Sequence, residues 1–191
     1  MALARLGCGL HDAGHYEDAL SVKKVELAML RRVGPPEEAL LIAEGSIACT
    51  YGELGQREES LSMERDVYSG WLKLEGEEHE STLLAANNYA DSLRALQHFE
   101  DARSLLRKAI PVARRVLGES DDLTLRMRWN YARSVCEDTC PTLAELREAV
   151  TTLEDTKRIA QRVLGGAHPL TMDIEDELRD AQDALYARGL P

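Results

Sequence analysis

The side chains able to do chemistry in this 191-residue sequence are few, and their spacing suits structure better than reaction. His11 and His15 stand four apart, the spacing of two metal ligands on one helix face, but Gly14 between them should end the helix and part the pair. Cys136 and Cys140 enclose three residues where a structural zinc site encloses two, and no second pair lies near, so they read as separate thiols. His79 and His168 fall in equivalent slots of a repeated linker, which assigns them to helix starts rather than to proton transfer. Glycine-rich phosphate loops and nucleophile elbows are absent from the sequence, and its acidic residues are scattered over helix faces. The expectation is a protein that is not an enzyme, with no catalytic residue, no metal and no cofactor.

What remains is binding chemistry. Arg126, Trp129 and Arg133 are three and four residues apart, so one helix face would carry two guanidinium groups around an indole. Asn87, Asp91 and Arg94 repeat that spacing earlier in the chain, and the matching positions one repeat before are Gly45, Cys49 and Gly52, small enough to leave room for a ligand. Guanidinium forks grip carboxylates through paired hydrogen bonds. The plain alternative is that Trp129 packs between helices and the arginines are merely solvated.

The elements that position these residues are helices. Hydrophobic residues make up 44% and charged residues 30%, a globular balance, while aromatics are 5% with a single Phe, so Ala and Leu must do most of the packing. A formal net charge of −11 argues against a phosphate backbone as partner, so nucleic acid is not expected. No apolar run is long enough for a membrane span or a signal peptide, and the cysteines are too sparse for a disulfide framework; the reading is a cytoplasmic protein with reduced thiols and no membrane partner.

The sequence repeats itself. Segments 76–82 (GEEHEST), 118–124 (GESDDLT) and 165–171 (GGAHPLT) each place threonine six residues after glycine, with periods of 42 and 47. Between them lie paired amphipathic stretches joined by turns at Gly14, Gly55 and Gln97. Ala48, Ala90 and Ala132 recur at 42-residue intervals in the first helices, and Ala19, Ser60, Ala102 and Ala149 recur in the second; the longer last period is absorbed by a loop at Cys140-Pro141. Nine helices are predicted, at 2–13, 16–33, 36–53, 57–74, 79–96, 99–116, 121–136, 143–163 and 168–187, the last a lone cap with Asp173, Glu175 and Asp176 on its wet side. The start of the chain almost directly in a helix suggests a piece of a longer array.

A small residue in the first helix, glycine before an aromatic at the turn (Gly14-His15-Tyr16), and a small residue three positions on (Tyr16 to Ala19, Phe99 to Ala102) resemble the tetratricopeptide repeat. The 42-residue period, the linker Leu164-Gly165, His168-Pro169 and Thr171, and the run Asn87-Asn88-Tyr89-Ala90 are similar to the kinesin-light-chain subgroup. The resemblance covers nearly the whole chain and is weakest in the first repeat. It implies an all-α, right-handed α-solenoid of antiparallel helix pairs: one domain, 1–191, with repeats at about 1–34, 35–75, 76–117 and 118–164 and a final helix at 165–191. A HEAT or armadillo array has a similar period, but the turn residues favour the tetratricopeptide register.

The resemblance also implies a function. In that subgroup, asparagines of the first helices hold the backbone of an extended peptide, which by likeness assigns Asn87 or Asn88 and Asn130 here; an amide both donates and accepts, so it can clamp a peptide bond. The expected site on the concave face is therefore Asn87, Asn88, Asp91, Arg94, Arg126, Trp129, Asn130 and Arg133. The expected function is a protein-interaction scaffold or adaptor for a protein or peptide of acidic character. The alternative is a structural or oligomerisation module, with a second copy of the chain in the groove.

Overall fold

The computed structural model describes residues 2–188. Among them are nine α-helices and no strand: α1 (Ala2–Asp12), α2 (Tyr16–Val33), α3 (Glu37–Glu53), α4 (Arg57–Glu75), α5 (Glu80–Ala95), α6 (Phe99–Val116), α7 (Asp122–Cys136), α8 (Leu143–Val163) and α9 (Pro169–Ala187). Each predicted helix is present, its ends within about one residue of the expected positions. The architecture is all-α, of the α-solenoid class, and the chain divides into two compact units, Met1–Leu96 and Gln97–Pro191.

In the first unit each helix packs on its chain neighbour, and α3 also touches α5, the arrangement of stacked hairpins. The hairpin turns need a left-handed residue to end one helix and admit the next. Gly14 and Gly55 take it at φ 78° and 71°, and Gln97, at the corresponding turn before α6, takes it at φ 64° despite its side chain. The small residues Gly7, Ala19, Ala48, Ser60 and Ala90 are buried, which lets backbones approach. Leu41, Val67, Trp71 and Ala85 form one core cluster; Leu27, Ala43 and Ile47 form another. His79 starts α5: a ring nitrogen accepts from the Ser81 N–H at 3.3 Å while the ring stacks on Trp71, 6.2 Å between centroids.

One slot of the second helices departs from apolar packing. Four residues after Ala19, Ser60, Ala102 and Ala149 stand Lys23, Glu64, Leu106 and Leu153, all buried. The Lys23 ammonium donates to Ser46 O at 3.1 Å and Thr50 Oγ1 at 2.8 Å. Gly7 makes room for its stem, since a Cβ there would lie 2.8 Å from Lys23 Cγ. Glu64 is poorly provided: Cys49 Sγ donates to Oε1 at 3.8 Å, and Oε2 is buried with no hydrogen-bond partner among the described residues. Burial pushes the carboxyl up to about 7, with the charge of Asp91 adding to the effect and the Cys49 hydrogen bond opposing it.

The second unit repeats the arrangement. Each of α6 to α9 packs on the next, and α7 also touches α9, around Leu106, Leu125, Met127, Val135, Leu146, Leu153 and Ile174. Asp121 Oδ1 starts α7 by accepting from the Leu123 N–H at 2.9 Å, and Thr142 with Glu145 forms a reciprocal capping box at α8. His168 caps α9 through the Leu170 N–H at 3.3 Å, with Pro169 at the first helical position, so the two linker histidines do stand at helix starts. The inserted loop before α8 is tied down by the buried Arg103, whose Nη1 donates to Ser134 O at 3.1 Å and to Asp138 at 2.9 Å, and by Arg188, which donates to Pro141 O at 2.7 Å.

Candidate interaction surface

On α5, helical spacing aligns Asn87, Asp91 and Arg94, and Arg94 grips one oxygen of Asp91 through Nε at 3.2 Å and Nη2 at 2.7 Å. Asn87 is buried and Asn88 half-buried. On the preceding first helix, α3, a Cβ added at Gly45 or Gly52 would make ordinary van der Waals contact with Val67 or Ser60 of α4 at 3.7 and 3.6 Å, so both positions face α4. Cys49, between them, is exposed as a residue yet turns its sulfur toward Glu64.

On α7 the geometry is more distinctive. Arg133 lies over the Trp129 ring, 4.6 Å from guanidinium carbon to ring centroid, within cation–π range. Its Nη2 donates to Glu137 at 3.2 Å, and its Nε is 3.7 Å from Glu177 of α9. Burial raises the pKa of Glu177, and the charge of Arg133 counters it. Arg126, about two turns before Arg133, is half exposed and donates through Nε to Asp122 at 2.6 Å. Trp129 is half-buried, its indole N–H without a hydrogen-bond partner among the described residues. Asn130 points inward and is 6% exposed.

The residues picked from sequence thus form two sets. The α5 set belongs to the first unit and the α7 set to the second. Within the α7 set the structure joins Trp129 to Arg133, and the spacing of Arg126 carries it onto the same side. Asn87 and Asn130 are the most enclosed members. A group unmarked in the sequence lies on the other side of α7, where Arg128 and Tyr131 face α6 and α8. Arg107 and Arg114, seven apart and so on one face of α6, were the available sign of it. No cluster able to hold a metal occurs among the described residues.

Residues 40–115 match the family model of the tetratricopeptide repeat. That stretch carries the tetratricopeptide-repeat signature. Two solved structures of a Podosopora anserina kinesin light chain candidate with nearly identical TPR-like repeats, one a variant, superpose with TM-scores of 0.81 and 0.79 at 21% identity, covering 98% of this chain and 87% of theirs. BtubC (BKLC) from P. vanneervenii superposes with a TM-score of 0.58 at 14% identity over 98% of this chain and 80% of its own. At these identities the likeness is one of fold, that of kinesin-light-chain-like tetratricopeptide repeats. No curated protein sequence matches the chain. Tetratricopeptide repeats are protein-interaction modules, and no helix among the described residues is long and apolar enough to cross a membrane.

Proposed function

We propose that the chain is a scaffold that binds an extended segment of another protein, and that the Arg126, Trp129 and Arg133 side of α7 is a main anchor for it. The carrying observation is the half-buried indole of Trp129 roofed by the Arg133 guanidinium at 4.6 Å. Such a pair offers an apolar platform beside positive charge, the residue types that concentrate binding energy at interfaces. The segment it suits carries an apolar side chain next to a carboxylate. The carboxylate would compete with Asp122 for Arg126, an exchange that costs little because an exposed ion pair contributes about 0–1 kcal/mol. Asn88, half-buried on α5, and its neighbour Asn87 are the proposed backbone clamp of the first unit.

The test is a fluorescence-polarisation screen of the full chain against peptides of mixed Asp/Glu and Leu/Trp content. Trp129→Ala and Arg126→Glu should each weaken the best binder by about tenfold or more, and added salt should weaken it further. Unchanged affinity in both variants would place the partner elsewhere. A chain that dimerises through this face and takes no peptide would favour the structural module.

A further inference from the structure

A cleft of about 510 Å³ opens in the second unit between α6 and α8, with α7 as its floor. That volume falls in the range of small-molecule sites, about 300–1,000 Å³. Four of its lining residues are arginines, Arg107, Arg114, Arg128 and Arg147, against two carboxylates, Glu148 and Asp155, an inverted balance for a chain of net charge −11. The cleft is also partly apolar: Ile110 and Pro111 of α6 and the Tyr131 ring supply flat hydrocarbon surface.

The floor is what makes the cleft a site rather than a groove between exposed side chains. Arg128 is 8% exposed and Tyr131 3%. Arg128 Nη2 reaches Thr152 O at a long 3.5 Å, whereas its Nη1 is buried without a hydrogen-bond partner among the described residues; the nearest carboxylate, Glu119, is 3.9 Å off and is held by Arg114. The Tyr131 hydroxyl, also buried, makes no close hydrogen bond and has the Arg107 guanidinium and the Glu148 carboxylate as its neighbours, with Arg107 over the ring at 5.5 Å from guanidinium carbon to centroid. Burial lowers the pKa of Arg128, a sign that its charge is poorly compensated. Buried donors left without a close partner are costly, so the Arg128 Nη1 on the floor of the cleft favours an added acceptor there.

The walls narrow the choice of acceptor. Asp155 is neutralised by Arg158 at 2.7 Å, and Arg107 has Glu100 and Glu145 at 3.6 and 3.8 Å. Arg147, at the mouth, makes no ion pair among the described residues. A ligand that reaches Arg128 and Tyr131 from the mouth therefore passes Arg147, and meets two guanidinium groups and a hydroxyl. A carboxylate, with one charge and two oxygens, leaves part of that set unused. A phosphate monoester, with close to two charges and three terminal oxygens, can engage all of it.

We propose that the cleft between α6, α7 and α8 binds a small phosphate monoester, its phosphate held by Arg128, Arg147 and the Tyr131 hydroxyl and its organic part lying on Ile110 and Pro111. This site stands apart from the proposed peptide anchor, because residues 128 and 131 point to nearly the opposite side of α7 from residues 126, 129 and 133.

Calorimetric titration of the full chain with phenyl phosphate tests it, with inorganic phosphate and benzoate as comparators. Phenyl phosphate should bind at one site per chain, about tenfold tighter than either comparator. Tyr131→Phe, which keeps the ring, and Arg147→Glu, on an exposed position, should each weaken it by about tenfold while circular dichroism stays unchanged. Arg126→Glu, on the other side of α7, should leave it as it is. No saturation below about 10 mM phenyl phosphate, benzoate binding as tightly, or full affinity in folded Arg147→Glu would each overturn the proposal.

Discussion

A buried carboxyl group with one oxygen unpartnered must titrate with the fold. Glu64 is 2% exposed and its pKa stands near 7 against an ordinary 4.5. The raised value means that the folded chain holds a proton where the unfolded chain has released it. Stability should therefore fall as pH rises from about 4.5 to about 7 and stay low above that. Glu64→Gln, which removes the charge, should flatten this dependence and stabilise the protein at pH 8 by up to about 3 kcal/mol, read from urea midpoints at pH 5 and 8. A variant with the wild-type slope would move the dependence to another group. Arg133 has the opposite character. Arg133→Glu would set a carboxylate between Glu137 and Glu177 and remove the cover of Trp129, so it should cost about 1–3 kcal/mol in the thermal melt, where Arg126→Glu costs under about 1. Sequence periodicity put the two arginines on one face as equivalents; the α9 carboxylate that separates them comes from elsewhere in the chain. For this reason Arg126 is the cleaner probe of binding.

At the scale of helices, the sequence was nearly complete as a guide. Turn glycines such as Gly14 and Gly55, amphipathic runs and recurring small residues located the helices because those signals are local and act within one or two turns. Ala90, 1% exposed on α5, shows how tightly the small-residue slot is held. Ala90→Leu should lower stability by about 1–3 kcal/mol through overpacking; an unchanged melting midpoint would contradict that burial. Gln97 is the local exception, a side chain in the left-handed region at φ 64°. Gln97→Gly should be stabilising by up to about 1 kcal/mol, checked by chemical denaturation, since glycine takes this conformation without a Cβ clash. The buried pair Lys23 and Glu64 was also within reach of sequence, at the same four-residue offset from Ala19 and Ser60 that gives Leu106 and Leu153 later. The arginine cleft was not. Arg107, Arg128 and Arg147 come from three helices and read singly as solvated charges; only packing reveals that one of them is buried and short of an acceptor.

Over the whole molecule, charge is unevenly used. The chain is strongly acidic, yet the cleft of the second unit is lined by four arginines, so raising ionic strength should weaken anion binding there while changing melting only slightly. Internal composition differs between the units as well. The recurring core slot holds lysine and glutamate in the first and leucine twice in the second. Replacing a buried charge by a packed hydrophobe is often neutral or stabilising, so the first unit should be the one that opens more readily, most of all above pH 7 where Glu64 is ionised. Hydrogen exchange at pH 8 should show α2 and α4 less protected than α6 and α8, and equal protection would contradict this ordering. The consequence reaches turnover. A protease needs an opened stretch of chain, and at alkaline pH it should find one first before Leu96. The fragment that outlasts the cut would begin near Gln97 and keep both the α7 platform and the arginine cleft, so damage to this protein should first cost it the half in which neither is built.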